Sequence, residues 1–66
     1  EVFAKNVLSH RTRLGLTQDA LADKCEYHRT YIGSVERAER NITLATIEAF
    51  AHAFSVEPFS LLIAPR

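Results

Sequence analysis

The feature that most constrains this chain is the spacing of its apolar residues, which recur at about every third or fourth position from one end to the other. Phe3, Val7 and Leu14 share one helical stripe, and Ile32 and Val35 share another. No alternating run of β-branched residues lasts even about four positions, which is what a half-buried strand would show. The pattern therefore predicts an all-α fold.

Residues that stop or cap helices divide this pattern into short segments. Glycine stops a helix because it adopts a left-handed backbone at little cost, and threonine opens one because its hydroxyl accepts a hydrogen bond from a free amide. In chain order the signals are Gly15 after helix 1, Thr17 before helix 2, a break at residues 26–28 before helix 3, Thr43 before helix 4 and the N1 proline Pro58 before helix 5. We therefore expect a five-helix globule.

The length leaves room for a single core. The chain has 66 residues, 47% of them apolar, and a chain of this size buries only about 60% of the surface that it exposes when unfolded. One domain over residues 1–66 is expected. The longest apolar run, residues 61–64, is far shorter than the ~18 residues of a membrane helix, so no membrane partner is expected. One cysteine and no visible secretory segment predict a cytoplasmic location.

Two opposite charges lie on the buried sides of their own helices. Arg11 follows Val7 by four residues and precedes Leu14 by three, and Glu36 follows Ile32 by four. A lone charge on a buried face is costly, so we expect the two side chains to meet as a bidentate ion pair that ties helix 1 to helix 3. The alternative is that both side chains extend separately to solvent.

Two short helices joined by a tight turn, with the small residue Ala22 where the helices cross, are typical of a helix-turn-helix. Residues 14–22 read LGLTQDALA and match the pattern L-G-L-T-Q-x-x-L-A, and residues 32–37 match I-x-x-hydrophobic-E-R. With these motifs the chain resembles the Cro/phage-repressor (XRE) helix-turn-helix family over residues 3–63. The resemblance implies a lambda-repressor-like DNA-binding fold with its helix-turn-helix core at residues 17–38.

Within that family, residues 29–32, 36–37 and 40–43 are most similar to restriction–modification controller proteins, which are small homodimeric regulators of gene expression. By this likeness, Arg40 and Asn41 lie in a loop that contacts phosphate or the minor groove.

Three residues depart from the family pattern. Glu26 stands where the turn usually has glycine, and a left-handed backbone there costs about 1 kcal/mol. His28 stands where serine, threonine or aspartate usually caps helix 3, and Ala38 replaces the glycine that usually ends it.

The first turns of a recognition helix reach base edges in the major groove. Because Ile32 and Val35 face inward, Gly33 and Ser34 are expected on the outward face of helix 3. The expected DNA contacts lie at the starts of helices 2 and 3, on this outward face and just after it: Thr17, Gln18, His28, Arg29, Thr30, Tyr31, Ser34, Arg37, Arg40 and Asn41.

The chemistry of these side chains suggests separate roles. The fork of Arg29 suits guanine O6 and N7, the methyl group of Thr30 suits a thymine methyl, and the hydroxyl of Ser34 suits a base or a phosphate. By the family resemblance, Gln18 binds the DNA backbone and braces helix 3. The same resemblance implies that Tyr31 contacts DNA, and a partly buried tyrosine is the alternative.

Helix 5 is apolar at Phe59, Leu62 and Ile63. One short helix cannot bury this many large apolar side chains against its own domain. We expect a symmetric dimer surface over about residues 50–63, with Phe50 or Phe54 of helix 4 contributing. The alternative is that Leu62 closes the core and the other side chains are simply exposed.

The sequence predicts a sequence-specific DNA-binding transcription regulator that binds a pseudo-palindromic operator in double-stranded DNA as a homodimer. One alternative is the antitoxin of a toxin–antitoxin pair, and another is a protein-interaction module that kept the fold without binding DNA. A protein partner, RNA polymerase or a toxin, is left open. No catalysis, metal or cofactor is expected, because Cys25 and His28 give half a zinc site and the other histidines have no matching spacing.

The formal net charge is zero, which at first favours the interaction module, since nucleic-acid-binding domains are usually basic. The charges are unevenly distributed, however. Residues 5–40 carry seven Lys and Arg against five Asp and Glu, and residues 41–66 carry one Arg against two Glu. We expect a polarised surface that binds DNA with a shallow salt dependence.

Overall fold

The computed structural model describes residues 1–64, which form four α-helices and one short 3₁₀ helix. These elements are α1 (Val2–Arg13), α2 (Gln18–Cys25), α3 (Arg29–Glu36), α4 (Leu44–Phe54) and the 3₁₀ helix Pro58–Leu62. The described residues contain no strand, so the all-α prediction is confirmed. None of these helices is long and apolar enough to cross a membrane. Residues 65–66 of the expected single domain lie outside the described part of the chain.

The prediction of a fifth α-helix is wrong. The segment after Pro58 is five residues long and closes i→i+3 hydrogen bonds, from Ser60 N to Glu57 O and from Ile63 N to Ser60 O. Proline fixes the first φ angle of this turn but supplies no amide, and so short a segment has few residues to propagate the wider α ladder. The described residues therefore form four α-helices closed by a single tight 3₁₀ turn.

The helix boundaries follow the capping residues. Thr17 Oγ1 accepts from Ala20 N at 3.0 Å at the start of α2. Thr43 Oγ1 accepts from Thr46 N at 3.2 Å at the start of α4. Each contact satisfies an amide that has no partner within its helix. Just after the C-terminal end of α1, Gly15 adopts φ 71°, in the left-handed region that stops a helix.

The core is built around Phe50, which is fully buried. Its ring contacts Phe3 edge-on at a centroid distance of 5.6 Å and stacks with Phe54 at 6.2 Å. The buried apolar residues come from all four α-helices and the 3₁₀ helix: Phe3, Val7, Leu21, Ala22, Ile32, Val35, Phe50, Ala51, Phe54 and Leu61.

Two expectations about apolar residues are corrected by this core. Phe50 and Phe54 are buried within the chain itself, so neither side chain contributes to a dimer surface. The apolar stripe of α4 packs against the 3₁₀ helix as well as against α1 and α2, and this inward packing accounts for both rings. Leu14 is 53% exposed rather than buried, because α1 ends at Arg13 and the chain turns away one residue later.

The 3₁₀ helix is anchored by a buried asparagine that the sequence pattern did not single out. Asn6 on α1 donates from Nδ2 to the carbonyl oxygens of Leu61 at 2.8 Å and Ile63 at 2.9 Å. Carbonyls at the end of a short helix need such partners. The contact holds Leu61 in the core and leaves Phe59 and Leu62 on the surface, 62% and 53% exposed.

The turns around α3 require backbone conformations that suit glycine. Glu26 and Ala38 both adopt φ 60°. After Glu26 the amide of Tyr27 returns to the carbonyl of Ala22, and after Ala38 the amide of Glu39 returns to Ser34. Both turns have the hydrogen bonds of a glycine-terminated helix without the glycine, so each stores strain in a Cβ that crowds a carbonyl.

Replacing either strained residue by glycine should stabilise the fold. We expect Glu26→Gly and Ala38→Gly each to raise the free energy of unfolding by about 1 kcal/mol in urea denaturation, because the left-handed strain is removed. Asp23→Gly, in the exposed part of α2, is the matched control and should lower it by about 0.3 kcal/mol, because glycine favours a helix slightly less than aspartate does. Destabilisation by all three substitutions would contradict the turn geometry.

Candidate nucleic-acid interface

Arg11, Glu36 and Gln18 form a cluster that joins the first three helices. Arg11 donates from Nε to Glu36 Oε2 at 2.6 Å and from Nη2 to Oε1 at 3.2 Å. Gln18 Nε2 donates to the same Oε1 at 3.0 Å. The two charged side chains are only 15% and 7% exposed. The structure thus brings together the two charges that the apolar stripes pointed to, and Gln18 braces α3 as the resemblance implied.

The third nitrogen of the Arg11 guanidinium also has a partner. Arg11 Nη1 donates to the backbone oxygen of Leu16 at 2.9 Å, on the turn that leads into α2. In the described residues, every buried side-chain nitrogen and oxygen has a hydrogen-bond partner. A buried pair that is fully hydrogen-bonded fixes geometry, because any other arrangement would leave a charge unpaired away from water. The cluster therefore sets the angle at which α3 stands on α1 and α2.

The start of α3 is capped by a ring nitrogen rather than a hydroxyl. His28 Nδ1 accepts from the amide of Thr30 at 3.1 Å. A nitrogen that accepts carries no proton, so the neutral ring has its proton on Nε2. His28 is exposed, and its Nε2–H is available as a donor to a group outside the protein. His28, which stands where the family pattern has serine, threonine or aspartate, thus makes the same capping contact with a ring nitrogen.

Most of the expected contact residues lie on one surface. Seven of them are exposed: Thr17, His28, Arg29, Thr30, Arg37, Arg40 and Asn41. Three contacts show that the starts of α2 and α3 and the loop after α3 adjoin. Arg29 Nε lies 3.7 Å from Asp19 Oδ1, the side chains of Gln18 and Arg37 both reach Gly33, and Arg40 Nε reaches Ser34.

Two arginines of this surface lie near carboxylates. Arg29 and Asp19 are 60% and 76% exposed, and Arg37 Nε lies 3.1 Å from Glu39 Oε2 with 59% and 56% exposure. Ion pairs this exposed contribute little stability and break readily. Both guanidinium groups can therefore exchange a carboxylate for a phosphate or a base edge.

The expected outward position of Ser34 is wrong. Its side chain is buried, at 5% exposure, where it donates to Tyr31 O at 2.8 Å and accepts from Arg40 Nε at 3.1 Å. The physical reason is the left-handed turn at Ala38, which folds the following loop back over this part of α3. Ser34 therefore does not reach a base or a phosphate directly.

Gly33 is also covered rather than open. A Cβ placed on Gly33 would lie 3.0 Å from Nη1 of Arg37. The guanidinium of Arg37 lies beside Gly33, so a side chain at this position would displace it. The lack of a side chain therefore makes room for Arg37.

Tyr31 is half-buried and makes contacts on three sides. Its ring packs against Tyr27 at a centroid distance of 4.9 Å, and its hydroxyl lies 3.3 Å from Thr46 Oγ1 on α4. The guanidinium carbon of Arg40 lies 5.6 Å from the ring centroid, within cation–π range. The geometry is that of the partly buried alternative.

Cys25 has the properties of an unreactive thiol. It is half-buried, its Sγ lies 3.9 Å from the backbone oxygen of Ala49, and burial raises its pKa to about 11. His28, which with Cys25 suggested half a zinc site, uses its Nδ1 in the capping contact with Thr30. The described residues contain no group of three or more side chains that could hold a metal ion.

Comparison with known proteins connects this geometry to characterised relatives. A helix-turn-helix family model matches residues 9–61. Control protein C.SmaI of Serratia marcescens is 48% identical over 62 residues, which cover 94% of this chain and 74% of that protein.

Two crystal structures share the arrangement of helices. The hypothetical transcription factor NHTF from Neisseria superposes with a TM-score of 0.93 at 41% identity, over 97% of this chain and 74% of that one. The restriction–modification controller protein C.AhdI from Aeromonas hydrophila superposes with a TM-score of 0.86 at 38% identity, over 91% of both chains.

Removing one partner of the buried pair should destabilise the fold strongly. We expect Arg11→Met to lower the free energy of unfolding by about 3 kcal/mol, because Glu36 is left charged and buried with only Gln18 as a donor. The exposed Arg13→Met on the same helix should change it by less than about 0.5 kcal/mol. Urea denaturation measures both.

The double variant Arg11→Met with Glu36→Met should recover most of that loss, since it removes both charges together. If Arg11→Met behaved like Arg13→Met, the pair would have no role in holding α3.

Proposed function

The chain belongs to the helix-turn-helix family, and from that premise we propose that it regulates transcription by binding a pseudo-palindromic operator as a homodimer, in the manner of a restriction–modification controller. The similarity to C.SmaI and C.AhdI supports the controller assignment. The observation that carries the proposal is the exposed polar surface formed by the starts of α2 and α3 and the loop after α3.

The dimensions of α3 suit the major groove. Its eight residues span about 12 Å, and the major groove of B-DNA is about 12 Å wide. Arg29 and Thr30 occupy the first turn of α3 and are exposed, so both reach base edges when the helix enters with its N-terminus forward. Arg29 then pairs with guanine O6 and N7, and the methyl group of Thr30 meets a thymine methyl.

Phosphate contacts come from the residues around α3. Thr17 and Gln18 open α2, where the free amides and the helix dipole favour an anion. His28 offers its Nε2–H, and Arg37 and Arg40 follow α3. These contacts set the register of the helix on the duplex without reading sequence.

The zero net charge is compatible with this function. Of the eight acidic residues, Glu36 is neutralised inside the fold by Arg11. Glu48 and Glu57 lie on α4 and just before the 3₁₀ helix, in elements that carry none of the expected contacts. The arginines of the polar surface therefore face the duplex with fewer opposing charges than the total suggests.

We assign the dimer surface to the 3₁₀ helix and the residue after it. Phe59, Leu62 and Ile63 are 62%, 53% and 55% exposed, three large apolar side chains within five residues. A second copy that covers this surface would place the two recognition helices about 34 Å apart, one turn of DNA. Phe50 and Phe54, being buried, take no part.

Selection of bound sequences from a random duplex pool, followed by a salt titration of the recovered duplex, tests the proposal. We expect two half-sites related by a two-fold axis, with centres about 10 base pairs apart, and an affinity that falls as salt rises. A pool without enrichment and no salt-dependent binding would leave the protein-interaction module as the function.

Arg29 should determine base preference. We expect Arg29→Ala to bind the selected duplex about tenfold to a hundredfold more weakly and to lose preference at one position of each half-site. Binding to an unrelated duplex should change far less. Arg13→Ala, which removes an exposed arginine from α1, is the charge-matched control and should keep the preference. An unchanged selected sequence with Arg29→Ala would contradict the orientation of α3.

Phe59 should hold the dimer together. We expect Phe59→Asp to sediment as a monomer and to bind the operator much more weakly, because a carboxylate at the interface is buried without a partner. The fold should survive, since the side chain is exposed within one chain. Leu44→Asp, at a leucine that is 68% exposed on α4, is the control and should remain a dimer. Sedimentation of the Phe59 variant as a dimer would refute the surface assigned here.

A further inference from the structure

The three exposed arginines on α3 and the adjoining loop are held in different ways. Arg29 and Arg37 each lie within 4 Å of a carboxylate, on Asp19 and Glu39. Among the described residues, Arg40 has no such ion pair, and its partners are the hydroxyl of Ser34 and the ring of Tyr31. Within the described part of the chain, no carboxylate within 4 Å offsets the positive charge of Arg40, and its guanidinium is held in place.

The hydroxyl of Ser34 is oriented for this task. It donates its proton to the backbone oxygen of Tyr31 at 2.8 Å, which directs its lone pairs to Arg40 Nε at 3.1 Å. Ser34 is 5% exposed, so little water competes for the hydroxyl. A ring on one side and an acceptor at Nε define the plane of the guanidinium, and Nη1 and Nη2 remain available to a ligand.

The backbone brings these residues together. Six positions separate Ser34 from Arg40, too many for neighbours on one helix. The left-handed residue Ala38 ends α3 and returns the chain, so that Glu39 N bonds Ser34 O and Arg40 follows beside it. Helical spacing alone gives no sign of this contact.

We propose that Ser34 is a positioning residue for DNA binding, which acts by holding the guanidinium of Arg40 in the orientation that contacts the duplex. The proposal rests on the proposed function. An arginine side chain that is ordered before binding loses less conformational entropy when it meets its ligand. Ser34, which the sequence assigned to direct contact, thus acts through Arg40.

A double-mutant cycle on the duplex selected with the unmodified chain tests this role. We expect Ser34→Ala to weaken binding about threefold to tenfold, the effect of one hydrogen bond. In the Arg40→Ala background the same substitution should have no further effect. Ser34→Ala should fold normally, because alanine favours a helix and the Tyr31 carbonyl keeps its α-helical partner. Thermal unfolding checks this.

Ser9→Ala is the matched control, since Ser9 Oγ accepts from Arg13 Nη2 at 3.4 Å on α1, outside the proposed surface. It should leave DNA affinity unchanged. An equal loss from Ser34→Ala in both backgrounds would overturn the proposal, because it would show that the hydroxyl acts independently of Arg40.

The hydrogen bond itself is measured without DNA. In the free protein, the Arg40 Nε–H should exchange with water more slowly than that of Arg13, and Ser34→Ala should remove the difference. Unchanged exchange in Ser34→Ala would overturn the positioning role even if the chain binds DNA. If the unmodified chain binds no duplex, the proposed function fails, and the role of Ser34 in DNA binding fails with it.

Discussion

The ion pair between Arg11 and Glu36 determines where α3 lies, because it is the only buried interaction between opposite charges that joins separate helices in the described part of the chain. Gln18 adds α2 to the same carboxylate. Apolar packing alone would allow α3 to rotate or slide at small cost, since hydrophobic contacts have little directional preference. A bidentate pair in which all three nitrogens of the Arg11 guanidinium donate a hydrogen bond strongly favours one arrangement. A small core thereby presents its recognition helix at a defined angle.

Two left-handed residues complete the presentation of α3. Glu26, before α3, and Ala38, after it, both adopt a strained left-handed backbone. Glycine would adopt the same backbone conformation without strain. The first turn sets the crossing of α2 and α3, and the second folds the loop back so that Arg40 reaches Ser34. Strain at such positions persists only when the surrounding contacts require it. Here the hydrogen bonds of the Tyr27 and Glu39 amides and the Arg11–Glu36 pair hold both residues in the strained conformation.

Periodicity identified the helices, and two apolar stripes pointed to the pairing of Arg11 with Glu36. It did not distinguish a short 3₁₀ turn from an α-helix, because both begin with the same proline signal. The periodicity also did not show how deeply each side chain is buried. Ser34 is covered by a loop that returns through a left-handed residue. Phe50 is buried against Phe3 of α1 and Tyr27 between α2 and α3. Asn6 bonds carbonyls 55 and 57 residues away. Apart from the 3₁₀ turn, each miss depends on a contact with a residue beyond the same helix, which local spacing does not encode.

We propose that the starts of α2 and α3 and the loop after α3 form the DNA-binding surface. An NMR titration of the ¹⁵N-labelled chain with the selected duplex tests it most directly, because every amide reports separately. We expect the largest chemical-shift changes at residues 17–18, 28–31 and 37–41. Changes confined to α4 and the 3₁₀ helix, or none at all under low-salt conditions, would contradict it.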